Sequence, residues 1–470
     1  MNLDSDSTAR LEGNVRRFTA FRLFYTARFY YPVFTVLFLD YGVTLEQFAL
    51  LNLVWALSIV VAEVPSGALA DILGHKRLLV FAALLMVLEM ALLVFVPLGA
   101  SPLLFLVFLL NRICSGLSEA AASGADEALA YDSLKSLGRE AEWPKVLERT
   151  TWVVSIGFFT TMILGAFAYD PSVVNSCLAL LNAGWMLEDS VIVRLPVMLT
   201  LITACLVLFT ALGFHDLATD EVREKASSKG SLLEPFRQIS RVASWTVNHR
   251  FVLFVILAAL ALDSVARQFV VLASEYYRLI DIPVSWFGFI GAGMSLIGIL
   301  NARISRILVS KRSPFFNFLF LSAVLTAGLI GISYAVPYFG VLFAIVAFAM
   351  MGMVQFESSY YLNREADSQI RATVLSFKGL ALNLGLGTAS LLYTALVATL
   401  RHRQDAGVDG QGLNEQIFLE ALVAFPVYYM LLFVLVILAA RRLVGDCSIF
   451  FALPAKQTVR AETPDLNFDV

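Results

Sequence analysis

Three residues of one hydrophobic stretch, Arg112, Glu119 and Asp126, recur every seven positions. Seven residues are almost two helical turns, so a helix would place all three on one face. At 1.5 Å per residue they would climb about 21 Å along it. Such a line of ionisable groups could relay protons or bind a cation; the alternative is a stripe bonded to neighbouring helices. A second constellation is Asp263 with Arg267, four residues apart and so able to pair along one helix, with Gln268 beside them. An unpaired charge in an apolar surround is strongly disfavoured. This pair therefore reads either as a binding site or as a static bridge. Arg28, with Tyr25 and Tyr31 close in sequence, could hold an anionic or aromatic ligand. Glu63, Glu89 and Glu357 are further acids in apolar runs, and Arg22 reads as a side chain that snorkels to headgroups.

These residues all sit in long apolar segments. The chain has 470 residues, 59% of them hydrophobic and only 15% Asp, Glu, Lys or Arg, against roughly a quarter charged in a soluble domain. Mean hydropathy is +0.77. Together these exclude a string of soluble domains and a disordered chain. The net charge of −3 gives no global basic field for nucleic acid. Four cysteines without a CxxC pair, and four histidines all in loops, make no metal site, and no cofactor motif is present.

A membrane-crossing helix needs about 20 mostly apolar residues. Such runs lie near 18–38, 46–69, 78–97, 102–124, 150–169, 191–213, 251–274, 285–309, 315–335, 338–361, 376–399 and 417–440. The expected fold is thus an all-α membrane protein of twelve transmembrane helices. Most loop Lys and Arg fall on the side of the two termini, and the opposite loops hold only Arg278, Arg401 and Arg403. That bias predicts a multi-pass inner or plasma membrane protein with both termini in the cytoplasm. The polar stretch 214–250 divides the spans six and six. The expected organisation is a bundle over 1–213, a linker over 214–250, a second bundle over 251–440 and a tail over 441–470. Leu232, Phe236, Ile239 and Val242 sit at helical spacing in the linker, as in an interfacial helix or a packed linker helix. An offset of 230 aligns Glu127 and Tyr131 with Glu357 and Tyr361, as a six-span duplication would.

Residues 67–77 read GALADILGHKR. Gly67, Leu69, Ala70, Asp71, Gly74, His75, Lys76 and Arg77 resemble the loop between spans 2 and 3 of the major facilitator superfamily. Gly67 would permit close helix packing, Gly74 a tight turn, and the basic residues would anchor the loop. The resemblance implies two pseudo-symmetric six-helix halves and transport by alternating access. It also implies that Asp71 latches onto the opposite half near Arg371 and Lys378. Arg112-x-x-x-Gly116 resembles the fourth-span motif of proton-coupled members, where the Arg is linked to proton transfer. The Gly-Pro motif of the fifth span of antiporters is absent.

The sequence thus points to a monomeric secondary transporter of a small solute, proton-coupled, with efflux slightly favoured and with membrane lipid as its surround. The latch would be Gly67, Asp71, Gly74, Lys76 and Arg77; proton coupling would fall to Arg112, Glu119 and Asp126. Substrate would meet Arg28, Tyr31, Asp263, Arg267, Gln268 and Glu357. A membrane-embedded enzyme, a lipid scramblase or a transport-incompetent sensor are the alternatives.

Overall fold

The computed structural model describes residues 5–182, 185–215, 237, 244–246, 248–366, 371–403 and 410–444. The interfacial segment expected near 232–242 and the tail beyond 444 fall outside them, apart from residue 237. Among the described residues the regular structure is all helix, with no strand.

Among the described residues, eleven helices are long and apolar enough to cross a membrane. The first crossing is the exception, being split into α1 (Ser5–Thr26) and α2 (Phe34–Tyr41) around a 3-10 turn at Tyr31–Val33. The N-terminal half continues with α3 (Leu45–Leu73), α4 (His75–Phe95), α5 (Pro102–Ala122) and α6 (Ala125–Ser136). It is completed by α7 (Trp143–Tyr169), two short helices α8 (Pro171–Leu180) and α9 (Asp189–Ile192), and α10 (Leu195–Gly213). The C-terminal half comprises α11 (Arg250–Leu279), α12 (Val284–Lys311), α13 (Pro314–Ser333), α14 (Val341–Glu365), α15 (Arg371–Arg403) and α16 (Gly410–Val444). With the split first crossing there are twelve spans, close to those expected from hydropathy.

Chain entry and exit are set by local chemistry. Thr44 and Gln47 form a reciprocal capping box at the start of α3. Ser101 and Ser313 cap α5 and α13 through their hydroxyls. Gly74 joins α3 to α4 with φ +94, a backbone that favours glycine.

Each helix divides its faces between protein and surround. On α4, Phe81, Leu84, Leu88 and Phe95 are exposed, while Ala82, Met86, Met90 and Leu93 are buried. The outward faces are apolar, as they must be where no water is available. The two halves meet along two seams, α3 against α15 and α7 against α12.

Glycine sets how closely they approach. A Cβ on Gly288 would strike the carbonyl of Met162 across the α7–α12 seam, and one on Gly387 would sit 3.1 Å from Leu53 across the other. Gly67, expected to serve such packing, has no atom within 4 Å of its would-be Cβ. It is not a packing glycine in this arrangement.

Candidate functional site

The split in the first crossing is written in its sequence. Pro32 lacks the N–H that an unbroken helix would use, and its ring opposes the carbonyl four residues back. The freed backbone groups at membrane depth need partners, and α10 supplies them. The Phe29 amide donates to Thr200 Oγ1 at 3.0 Å, and Thr203 Oγ1 donates to the Ala27 carbonyl at 2.9 Å. Gly165 of α7 lies so near the Phe29 carbonyl that a Cβ there would collide with it.

Arg28 occupies this break. Its Nη1 donates to Glu89 Oε1 at 2.7 Å and to the Tyr30 hydroxyl at 3.1 Å. The rings of Tyr25 and Tyr31 lie 5.5 and 5.9 Å from the guanidinium. Arg28 and Glu89 are 3% and 0% exposed, so this is a desolvated ion pair inside the bundle. Glu89 turns inward because it belongs to the buried stripe of α4 rather than its apolar outer face. Arg28 Nη2 and Glu89 Oε2 have no hydrogen-bond partner. Tyr31, unlike its buried neighbour Tyr30, is 40% exposed.

Arg112 stands one layer away without a bonded carboxylate. Its Nη2 donates to Asn52 Oδ1 at 3.2 Å, and Phe34, Phe38 and Trp55 surround the guanidinium at 5.3, 5.9 and 5.4 Å. Aromatic faces offset part of the desolvation of a cation. Gly116, one turn along, is required by packing: a Cβ would sit 2.6 Å from Ser58 and 2.8 Å from the Trp55 carbonyl.

The stripe of three expected on one helix face is interrupted. The helix ends at Ala122, Gly124 takes the left-handed conformation, and α6 restarts at Ala125. Asp126 therefore belongs to a separate helix, where it pairs with Arg22; Arg22 also reaches Glu127 at 2.5 Å. Arg22 is thus held by acids of α6 and does not snorkel. Glu119 remains exposed in α5, in electrostatic range of Arg28, Glu89 and Arg22.

In the C-terminal half, Arg267 Nη2 pairs with Asp263 at 2.6 Å along α11, as the spacing predicts, and Arg267 Nη1 donates to Asn383 at 3.1 Å. Two residues not foreseen there complete the cluster. Gln355 Nε2 donates to Asp263 Oδ1 at 2.9 Å, and Lys378 Nζ donates to Ser359 Oγ at 2.7 Å and to Gln355 Oε1 at 3.4 Å. Lys378, expected in the Asp71 latch, is buried here instead. The side chains of Asp71 and Arg371 lie outside the described residues. Gln268 sits deeper, accepting from Ser390 at 2.7 Å.

Glu357 departs from its expected place. It is fully buried on the face of α14 opposite the open one, with neither oxygen hydrogen-bonded, near Ser305 and Tyr361. It does not line the cavity. Residues of the other face do: Gln355, Phe356, Ser359, Tyr360, Asn363 and Arg364 border an open cavity of about 790 Å³. Glu63, at the α3–α15 seam, faces Gly379 of the other half, with its Oε2 buried and unbonded.

The opposite end of the bundle is tied by bonds between the halves, around a smaller cavity of about 340 Å³ bordered by Asp40, Glu275, Arg278 and Asn414. The amides of Thr35 and Val36 donate to Ser274 Oγ at 3.0 and 3.2 Å, and Thr35 Oγ1 donates to the Val271 carbonyl. Arg278 bridges Asp40 at 2.7 Å and Glu275 at 2.6 Å. Arg401 pairs with Glu46 and donates to Asn414 at 3.0 Å.

Two six-span halves, two seams and bonds between the halves gathered at one end are the architecture of a solute transporter. The chain belongs to the Major Facilitator Superfamily, whose family model matches residues 18–390. No curated protein matches it significantly. Among solved structures it is similar to the nucleoside transporter NupG at 13% identity, with a TM-score of 0.61 over 91% of this chain and 99% of that one. A bacterial homologue of the human lysosomal transporter Spinster, inward-facing and occupied, shares 14% identity with a TM-score of 0.60 over 94% and 98%. A D-xylose–proton symporter shares 14% with a TM-score of 0.57 over 88% and 97%. These likenesses establish the fold.

Proposed function

We propose that this chain is a proton-coupled secondary transporter of a small solute, working as a monomer in the inner or plasma membrane with both termini in the cytoplasm. The observation that carries the reading is the asymmetry between the two ends. With the termini inside, the bonds of Arg278, Arg401 and Ser274 tie the outer end, and the cavity beside Gln355 and Ser359 opens inward. Rocking about the α3–α15 and α7–α12 seams would break the outer bonds and expose the same groups outside.

Proton coupling is supported by the inventory of acids. Glu119 is exposed, has no hydrogen-bond partner among the described residues, and lies close to the Arg28–Glu89 pair. Protonating it would change the charge balance around that pair. Arg112 holds the position that the resemblance links to proton transfer, and a proton symporter shares the fold. Efflux is the direction we propose.

The test is a solute screen on proteoliposomes with and without an imposed proton gradient. Gradient-driven movement of at least one solute, lost in Glu119→Gln and Asp263→Asn, is expected. No movement of any solute by a folded, reconstituted protein would overturn the transport reading; movement indifferent to the gradient would overturn the coupling.

A further inference from the structure

The charges of the C-terminal cluster do not balance. Asp263 and Arg267 neutralise each other at 2.6 Å. Lys378, only 7% exposed, is bonded to two neutral oxygens, Ser359 Oγ and Gln355 Oε1. An ammonium has three N–H donors, so one is left over. Among the described residues, the charged groups in electrostatic range of Lys378 are Asp263 and Arg267. Glu63 does not supply the missing charge: it meets the neighbouring Gly379 from the other half and makes no ion pair with Lys378. A buried cation without a counter-ion is costly.

In the N-terminal half one other buried cation, Arg112, has no carboxylate among the described residues, but it is bonded to Asn52 and enclosed by aromatic faces. Arg28 already holds Glu89, and Arg22 holds Asp126 and Glu127. The cluster reaches the cavity through the acceptors of Lys378, the ammonium itself being buried behind them. Both acceptors of Lys378 border the 790 Å³ cavity, where Phe356 and Tyr360 present apolar surface at 37% and 38% exposure.

We infer that the transported solute is an organic monoanion, a carboxylate with an apolar or aromatic body, whose negative group completes the Asp263–Arg267–Lys378 cluster. The carboxylate accepts from the third N–H of Lys378 and from the guanidinium of Arg267, while the body rests against Phe356 and Tyr360. One surplus positive charge calls for one negative charge, which favours a carboxylate over a phosphate dianion. This assignment rests on the transporter reading above and names the solute class at the same cavity.

The experiment is calorimetric titration of the purified full-length protein at pH 7 with acetate, pentanoate, benzoate, benzamide, benzylammonium and phenyl phosphate. Benzoate or pentanoate should bind about tenfold or more tightly than benzamide, since the neutral amide forgoes a charge-assisted bond. Lys378→Gln should weaken that binding about tenfold, and Lys378→Arg should restore most of it. Equal binding of benzamide, tighter binding of benzylammonium or phenyl phosphate, or no binding by any carboxylate would overturn the assignment; the ligand series needs no variant to fold. Solute exchange in proteoliposomes separates the two readings. Transport of a neutral or cationic solute with no carboxylate bound leaves the transporter and sinks the anion. Carboxylate binding that depends on Lys378, with no solute moved, does the reverse.

Discussion

The Arg28–Glu89 pair is the most deeply buried ion pair among the described residues, and breaking it on one side has a calculable cost. Two unit charges about 4 Å apart attract by about 4 kcal/mol at an effective dielectric of about 20. Removing one partner of a buried pair costs about 3–5 kcal/mol, because the survivor stays desolvated. Glu89→Gln keeps the shape and one acceptor but deletes the charge. Arg28 then retains Tyr30 and the faces of Tyr25 and Tyr31, which offset about 1 kcal/mol. The expected loss is about 2–4 kcal/mol, read as a shift in equilibrium unfolding by SDS in mixed micelles. Arg28→Met should lose a similar amount through the orphaned Glu89. The double variant Arg28→Met/Glu89→Leu should recover to within about 1 kcal/mol of the parent, since apolar replacement of a whole buried pair is often neutral. If the double variant unfolds as readily as the worse single one, the pair is not what the two residues share. If Glu89→Gln leaves stability unchanged, the pair is not desolvated as its burial implies. With the fold restored, any transport lost in the double variant belongs to the unbonded polar atoms of the pair, Arg28 Nη2 and Glu89 Oε2, rather than to folding.

Three further outcomes follow from local geometry. Gly165→Ala drives a methyl into the Phe29 carbonyl where backbone is the obstacle, so a loss of about 1–3 kcal/mol is expected in the same unfolding assay. Arg278→Ala removes a half-exposed bridge worth at most about 1 kcal/mol, which shifts the two-state balance about fivefold towards opening of that end. Labelling of Thr35→Cys by an impermeant maleimide should rise by that factor, and an unchanged rate would deny Arg278 a gating role. Asp170 caps α8 and also bonds Ser285 of the other half. Burial pushes its carboxyl up, but the hydroxyls of Ser172 and Ser285 and two backbone amides outweigh it and hold the group below the ordinary carboxylate range. A depressed acid stabilises above its unfolded pKa, about 3.9, and that contribution fades as pH falls through the lower folded value. Unfolding midpoints measured downward from pH 5 should therefore fall more steeply in the parent than in Asp170→Asn.

How much of this was legible in the sequence follows from how far each interaction reaches along the chain. The spans were readable because crossing a membrane imposes one composition on about 20 consecutive residues. The Asp263–Arg267 pair was readable because helix geometry alone brings residues four apart together. Gln355 and Lys378 were not, since they reach the cluster from α14 and α15, about 90 and 115 residues downstream. The split at Arg28 carried a signal in Pro32, though an apolar count alone passes straight through it. Glu89 carried one too: it lies three residues after Met86 and seven after Ala82, in register with the buried face of α4. The seven-residue repeat of Arg112, Glu119 and Asp126 misled, because periodicity assumes a continuous helix and Gly124 ends it.

Glu119 in the N-terminal half and Lys378 in the C-terminal half are groups of opposite sign without an ion-pair partner among the described residues. The N-terminal half pairs Arg28 and Arg22 with acids, shelters Arg112 among rings, and leaves Glu119 as an exposed acid without a bond. The C-terminal half leaves Lys378 as a cation without a carboxylate. On the proposed reading, the proton falls to Glu119 and the organic anion to Lys378, and the coupling between them runs through the rocking of the halves rather than through a shared contact. The two loads should then separate by mutation. Glu119→Gln should keep benzoate binding within about threefold of the parent while abolishing the response of transport to a proton gradient, because a neutral amide mimics the protonated acid. Lys378→Gln should weaken benzoate binding while leaving any residual transport sensitive to the gradient. Loss of benzoate binding in Glu119→Gln, in protein that still elutes as a folded species, would place proton and anion on one site and refute the division of labour between the halves.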